Sequence, residues 1–293
     1  MGEWFLGVMG GSGLGAIDGL EDPVWRACET PWGQPSDAIL TGRLNGTRIA
    51  FLPRHGRGHR IPPGEVNARA NIAALKAIGC TDVLSVSAVG SLREDLAPGQ
   101  FVVVDQYVDR TVGRPASFFG TGVVAHVSLA DPVCPRLSGL ALEAGLARSI
   151  EIRRGGTYVA IEGPQFSTRA ESHLYRSWGC DVIGMTGMPE ARLAREAELP
   201  YACVGMVTDY DCWREHTAEV QVTDVLAILK RNAEAACGLV ETLVRALPPH
   251  RAASPIDTTL DMAVVTPPDQ WDPDLVSRLA SLCPRKFGAP PAR

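Results

Sequence analysis

Short apolar runs alternate with longer helical patterns along this chain, and no other feature restricts its fold as strongly. Trp4 to Met9, Arg48 to Pro53, Val83 to Val89, Phe101 to Val104, Tyr158 to Ile161, Val182 to Met185 and Tyr201 to Val207 read as strands. Asn67 to Ile78 reads as a helix, with Ala70, Ala73, Ala74 and Ala77 on one face. Ala170 to Trp178, Pro189 to Glu198 and Thr223 to Ala246 are further helices, the last opening on a Thr cap. The alternation predicts an α/β fold: a single domain with a central mixed, largely parallel twisted sheet surrounded by helices. This domain is expected over residues 1–247. From 248 to 293 the texture changes to paired prolines, and a tail is expected there, with a short helix from Asp272 to Leu282 packing on the domain or on a neighbouring subunit.

Composition narrows the function classes. The 293 residues are 45% hydrophobic and 6% aromatic, enough for a core of Ala, Val, Leu and Ile. A formal charge of -5 gives no electrostatic reason to expect nucleic acid or an anionic membrane as a partner. No apolar run approaches the roughly 18 residues of a spanning helix. The start, Met-Gly-Glu-Trp, lacks the basic and apolar regions of a secretory signal. The eight cysteines include no Cys-x-x-Cys pair, and Cys80 and Cys203 fall in apolar runs, as reduced cytoplasmic thiols do.

Ligands of such sheets bind outside the carboxyl ends of the strands, so the segments following strands carry the chemistry. Thr208-Asp-Tyr-Asp-Cys-Trp follows the apolar run ending at Val207. If the backbone stays extended there, Asp209 and Asp211 point the same way. Two neighbouring carboxylates repel, which keeps one protonated near neutrality and able to serve a heterocycle nitrogen. A solvated turn carrying two Asp is the plain alternative.

Gly10-Gly11-Ser12-Gly13-Leu14-Gly15-Ala16 meets the spacing of a dinucleotide fingerprint, but Asp18-Gly19 and Asp22-Pro23 break any helix opening there. Its amides and the Ser12 hydroxyl suit an oxyanion better. Pro53-Arg54-His55-Gly56-Arg57-Gly58-His59-Arg60 gathers basic side chains around glycines, and Arg54 is expected to grip a phosphate bidentately. His55 and His59 have the spacing of helical metal ligands, yet the glycines oppose a helix and no third ligand is near, so no metal is expected. Ser87-Ala88-Val89-Gly90-Ser91 and Gly184-Met185-Thr186-Gly187 place hydroxyls at strand ends. Ile161 to Glu171 joins a strand to a helix and carries Phe166, either as an aromatic platform or as core.

Taken together these residues resemble the purine nucleoside phosphorylase superfamily, and most nearly its methylthioadenosine-cleaving, trimeric branch. The likeness runs from Gly7 to about Ala246 and is densest in Gly10 to Leu14, Arg54-His55-Gly56, Ala88 to Glu94, Ile161 to Pro164, Ser167 to Ser172 and Thr208 to Trp213. It implies that Ser12, Arg54, His55, Ser87, Ala88 and Thr186 hold inorganic phosphate. It places Phe166 and Ser167 along the purine, Met185 beneath the ribose, and Asp209 and Asp211 against the base, with Asp209 as proton donor to N7. His126 is expected to reach across a subunit boundary towards the 5′ substituent, for which Val222 and Val225 form an apolar wall. The expected assembly is a homotrimer, and the expected partners are a purine nucleoside and phosphate, with no metal or organic cofactor.

The resemblance implies attack of phosphate on the anomeric carbon while an acid protonates the departing purine. Carboxyl groups suit a 6-aminopurine, and an apolar 5′ site gains about 1 kcal/mol per methylene-sized group. Methylthioadenosine is therefore the expected substrate, with 5′-deoxyadenosine beside it. Gly184 and Gly187 stand where relatives have larger residues; the room this leaves keeps methylthioinosine open, and Gln165 replaces a basic residue next to Phe166. An NAD-dependent oxidoreductase and a non-catalytic nucleoside-binding protein are the readings from other classes.

Overall fold

The computed structural model describes residues 2–11, 19–214 and 222–288, with backbone only for 222–226. In chain order the strands and helices are β1 (Phe5–Gly10), β2 (Glu21–Arg26), β3 (Ile39–Leu44), β4 (Thr47–Pro53), α1 (Ala68–Ala77), β5 (Asp82–Ser91), β6 (Phe101–Val104) and β7 (Gln106–Arg110). They continue as α2 (Pro135–Ala147), β8 (Ile152–Arg154), β9 (Thr157–Ile161), α3 (Arg169–Ser177), β10 (Val182–Gly184), α4 (Gly187–Glu196), β11 (Tyr201–Asp209), α5 (Val222–Ala246), α6 (Pro273–Leu282) and α7 (Pro284–Phe287).

The eleven strands among the described residues join one mixed sheet, as the alternation predicts, and β5 is its pivot. Its first half pairs in parallel with β1, from Leu6 opposite Asp82 to Gly10 opposite Val86. Its other edge pairs in parallel with β11 as far as Gly90 opposite Asp209, with a register shift at Thr208. Beyond β1, the last two residues of β5 turn to β10, antiparallel, with Gly90 opposite Ile183 and Ser91 opposite Val182. One ten-residue strand therefore brings the carboxyl ends of β1, β4 and β11 to the strand ends of β9 and β10. The cleft opens there.

The central strands read as unbroken apolar runs because both faces are covered. Every residue of β1 is buried, and all of β11 except Asp209. One face packs against α1, α4 and α6 through residues such as Ile72, Leu193 and Leu279; the other packs against α2 and α5 through Leu137, Leu239 and Leu243. Each such side chain withdrawn from water stabilises by about 2 kcal/mol.

Local signals set the helix starts. Asn67 caps α1 by accepting from the Ala70 amide at 3.1 Å, and Thr168 and Glu171 close a capping box on α3. The described part of α5 starts at Val222, and the side chain of Thr223, the expected cap, lies outside the described residues. Six elements escape the sequence pattern: β2, whose residues are all exposed, β3, β7, β8, α2 and α7. After Leu247 the chain runs back over the domain. Leu260, Leu279, Leu282 and Phe287 join the same core as Phe5 and Ala73, and Asp272 caps α6 through the Leu275 amide at 2.7 Å.

Candidate active site

A cleft of about 590 Å³ lies at the strand ends. Arg54, His55, Ser87, Ala88, Phe166, Ser167, Met185, Thr186, Asp209 and Asp211 all line it. Side chains from five separated segments thus meet in one cavity. Ser12 lies outside the described residues, as do the side chains of Val222 and Val225; α5 contributes Leu229 and Ala233 to the wall instead. His126 is not in the cleft. It is exposed on a loop whose backbone it ties to the tail, its amide donating to the Ala263 carbonyl at 2.8 Å.

The two acids approach each other by a different route from the one the extended reading expects. β11 ends at Asp209, and Asp211 adopts a left-handed conformation with φ of 53°. That turn points the Asp211 amide at Asp209 Oδ1, 2.8 Å away, while the Thr208 hydroxyl donates to Asp209 Oδ2 at 2.7 Å. Asp211 Oδ2 is buried with no hydrogen-bond partner among the described residues. Burial raises the Asp211 carboxyl above the ordinary range, and the charge of Asp209 adds to the shift. The solvated turn is excluded: this is a partly buried acid pair.

Arg54 departs from the expected phosphate grip. Its Nε and Nη2 donate to the two oxygens of Glu190, and the same Nη2 also reaches Ser85 Oγ at 2.6 Å and the Met9 carbonyl at 3.3 Å. Nη1 donates to the Val86 carbonyl at 3.2 Å. The fork is therefore filled by protein, and one Nη1 hydrogen is left for a ligand. Arg57 also turns away, into a salt bridge with Asp37. His55 is pushed down to about 4, first by burial and then by the Arg54 charge. Its Nδ1 lies 2.9 Å from the Ile61 carbonyl, which can only accept. The neutral ring therefore donates from Nδ1 and turns an acceptor, Nε2, outward. His55 and His59 stack at 4.4 Å, and no group of three His, Cys, Asp or Glu suited to a metal occurs among the described residues.

The remaining wall is polar towards Thr186 and apolar elsewhere. Ser87 Oγ and Thr186 Oγ1 are 3.1 Å apart. Phe166 is 82% exposed, which excludes a core role and leaves an open aromatic face. The room expected beside Met185 is absent. A Cβ on Gly184 would meet the Tyr158 hydroxyl at 2.1 Å, and one on Gly187 would meet Tyr107 Cε1 at 2.6 Å. Tyrosines occupy the space that the glycines leave. Tyr158 and Glu190 are the residues sequence reasoning missed; the small residues beside Thr186 were the only signal.

Along β5 and β11, Ser87 pairs with Gly205 and Gly90 with Asp209. At about 3.3 Å per residue, the hydroxyl end and the acid end of the cleft stand roughly 10 Å apart. That is the span from the anomeric substituent of a nucleoside to the far side of its purine.

The family model described as "Phosphorylase superfamily" matches residues 5–245. The chain is 58% identical over 282 residues to the S-methyl-5′-thioadenosine phosphorylase of Cereibacter sphaeroides, covering 96% of this chain and 97% of that protein. It is 53% identical over 285 residues to the enzyme of the same name from Rhodospirillum rubrum, covering 97% of each. Among solved structures it is similar to a methylthioadenosine phosphorylase from an antarctic soil metagenomic library, with a TM-score of 0.91 at 45% identity over 96% of this chain and 99% of that one. It is also similar to the Schistosoma mansoni methylthioadenosine phosphorylase in complex with adenine, with a TM-score of 0.79 at 38% identity over 83% of this chain and 91% of that one.

Proposed function

The chain belongs to the phosphorylase superfamily, and from that premise we infer that it is a 5′-methylthioadenosine phosphorylase. It converts methylthioadenosine and inorganic phosphate to adenine and 5-methylthioribose 1-phosphate. The single observation that carries the reading is the cleft itself, with hydroxyls at one end of the β5–β11 ladder and an acid pair at the other.

A phosphate oxygen attacks C1′ from the face opposite the base as the C1′–N9 bond breaks, which inverts the anomeric centre. The electron pair of that bond enters the purine, and N7 takes a proton. The acid pair supplies it: Asp209 faces the base, and burial raises the Asp211 carboxyl beside it, which favours the protonated form of that group. Phosphate is already nucleophilic and needs placement more than activation. Thr186 and the remaining Nη1 hydrogen of Arg54 donate to it, Ser87 supports the Thr186 hydroxyl 3.1 Å away, and the neutral His55 accepts through Nε2 from a protonated phosphate oxygen, with Ser12 and the Ala88 backbone completing the placement. Phe166 and Ser167 line the purine and Met185 the ribose. No metal or organic cofactor enters this chemistry.

The 5′ substituent lies towards Val222 and Val225 at the start of α5 and towards a partner subunit's copy of the loop that carries His126. Val124, Met262 and Val265 are exposed beside His126, and a second copy of the chain covers them in the homotrimer we propose. 5′-Deoxyadenosine underfills the same site and is a slower substrate. Methylthioinosine is disfavoured, since the carboxyl groups at the base end suit a 6-aminopurine and the room expected beside Met185 is filled by Tyr158 and Tyr107. The distribution of cysteines fits a cytoplasmic enzyme.

The test incubates the protein with methylthioadenosine, methylthioinosine and 5′-deoxyadenosine, with and without phosphate. Phosphate-dependent release of adenine supports the reading. Equal release without phosphate would mean hydrolysis and overturn it.

A further inference from the structure

We propose that Tyr158 is a positioning residue of the phosphate site, setting the direction in which Ser87 and Thr186 donate their hydroxyl hydrogens. The proposal rests on the phosphorolytic reading above.

Tyr158 lies in β9 with no exposed surface, and its hydroxyl reaches across to the loop after β10. The Thr186 amide lies 3.2 Å from that oxygen and the Gly187 amide 3.4 Å. Amide groups only donate, so the two lone pairs of the phenol oxygen are both engaged. Its one hydrogen is then available to a hydroxyl, and Ser87 Oγ stands within reach at 3.4 Å. Burial holds the phenol above its ordinary pKa, so the hydrogen stays in place.

The consequence passes along the row of hydroxyls. Ser87 Oγ accepts from Tyr158, and its own hydrogen is turned towards Thr186 Oγ1 at 3.1 Å or the Ala88 carbonyl at 3.3 Å. Thr186 is left to donate into the cleft. An ionised phosphate oxygen can only accept, so a hydroxyl that points its lone pair at the anion repels it. Without the phenol, Thr186 is free to donate back to Ser87 and turn its hydrogen away. Gly184 is an independent sign that the phenol belongs here: any side chain at that position would displace it, the Cβ standing 2.1 Å from the hydroxyl and 2.7 Å from Cζ.

The experiment compares the full-length wild type with Tyr158→Phe, which keeps the ring and removes the hydroxyl. The KM for phosphate should rise about three- to tenfold, as loss of one hydrogen bond implies. The KM for methylthioadenosine should stay near wild type, while the melting temperature falls because the Thr186 and Gly187 amides lose their acceptor. Gly184→Ala, which drives the phenol off the Thr186 amide, should give the same phosphate-selective defect if Tyr158→Phe is poorly folded. An unchanged phosphate KM, or both KM values rising together, sinks the proposal alone. Wild-type adenine release that ignores phosphate sinks the parent reading as well.

Discussion

Arg54 and Glu190 form a bidentate ion pair closed to solvent, each side chain 2% exposed, directly beneath the candidate phosphate site. Glu190 also accepts from Ser85 Oγ at 3.1 Å and from the Tyr201 hydroxyl at 3.0 Å. Removing one partner leaves the other charge buried and unpaired, at a cost of about 3–5 kcal/mol. Glu190→Ala should therefore unfold at a much lower temperature in a thermal melt. Replacing both partners, as Arg54→Met with Glu190→Leu, should recover much of that stability and still abolish phosphate-dependent turnover. If the double variant keeps its activity, the Arg54 charge has no part in holding phosphate.

The acid pair makes a separable prediction. Asp209→Asn removes the group assigned to the base and should lower kcat/KM for methylthioadenosine by about 10²–10⁴. Asp211→Asn removes the raised carboxyl. A group that must be protonated loses activity as pH rises through its pKa, so the raised value carries activity to higher pH. The alkaline limb of the pH–rate profile should consequently move to lower pH in Asp211→Asn. An unmoved limb would assign the proton to a group other than Asp211.

How far the sequence spoke depended on whether a residue's role is local. β1, β5, β9 and β11 were legible because strands covered on both faces are continuously apolar. β2 was not, because its six residues, Glu-Asp-Pro-Val-Trp-Arg, are all exposed at the sheet edge. The strand-end hydroxyls and acids were found because the fold places ligands there. Glu190 was read only as part of the helix Pro189 to Glu198, since its partner Arg54 is 136 residues away and nothing near either position announces the other. Gly184 shows the same limit from the opposite side. Read alone, it meant empty space; in the fold, Tyr158 fills it.

Gly90 tests how closely the Asp209 carboxylate must be held. A Cβ there would stand 3.0 Å from Asp209 Oδ1 and 3.1 Å from Ile183 Cγ2. Gly90→Ala must move one or both, and the carboxylate at the strand end is the freer of the two. Displacements of about 1 Å near a reacting group cost up to roughly 10²-fold in rate. The variant should keep a near-native melting temperature and lose at least tenfold in kcat with methylthioadenosine. Full activity would show that Asp209 has more latitude than its two hydrogen bonds suggest.

Glu196 ties the end of α4 to the loop preceding His126, accepting from the Ser117 hydroxyl at 2.8 Å and the Phe118 amide at 2.7 Å. Burial raises its carboxyl to about 7, against the lowering effect of those hydrogen bonds. The folded state therefore binds a proton more tightly than the unfolded state, and between roughly pH 4.5 and 7 stability falls as pH rises. The linked change is up to about 3 kcal/mol, complete above pH 7. His55, pushed down to about 4, gives the opposite slope over an overlapping window, because its buried neutral ring must become charged when the chain unfolds in acid. The wild-type curve sums the two and hides both. Glu196→Gln removes the first and keeps hydrogen bonding to Ser117 and Phe118 in place. Its melting temperature, relative to wild type, should gain from pH 5 to pH 8 as the wild type loses its proton. A constant difference between the two proteins across that range would show that Glu196 is ionised throughout, and that the loop before His126 is held by a charge.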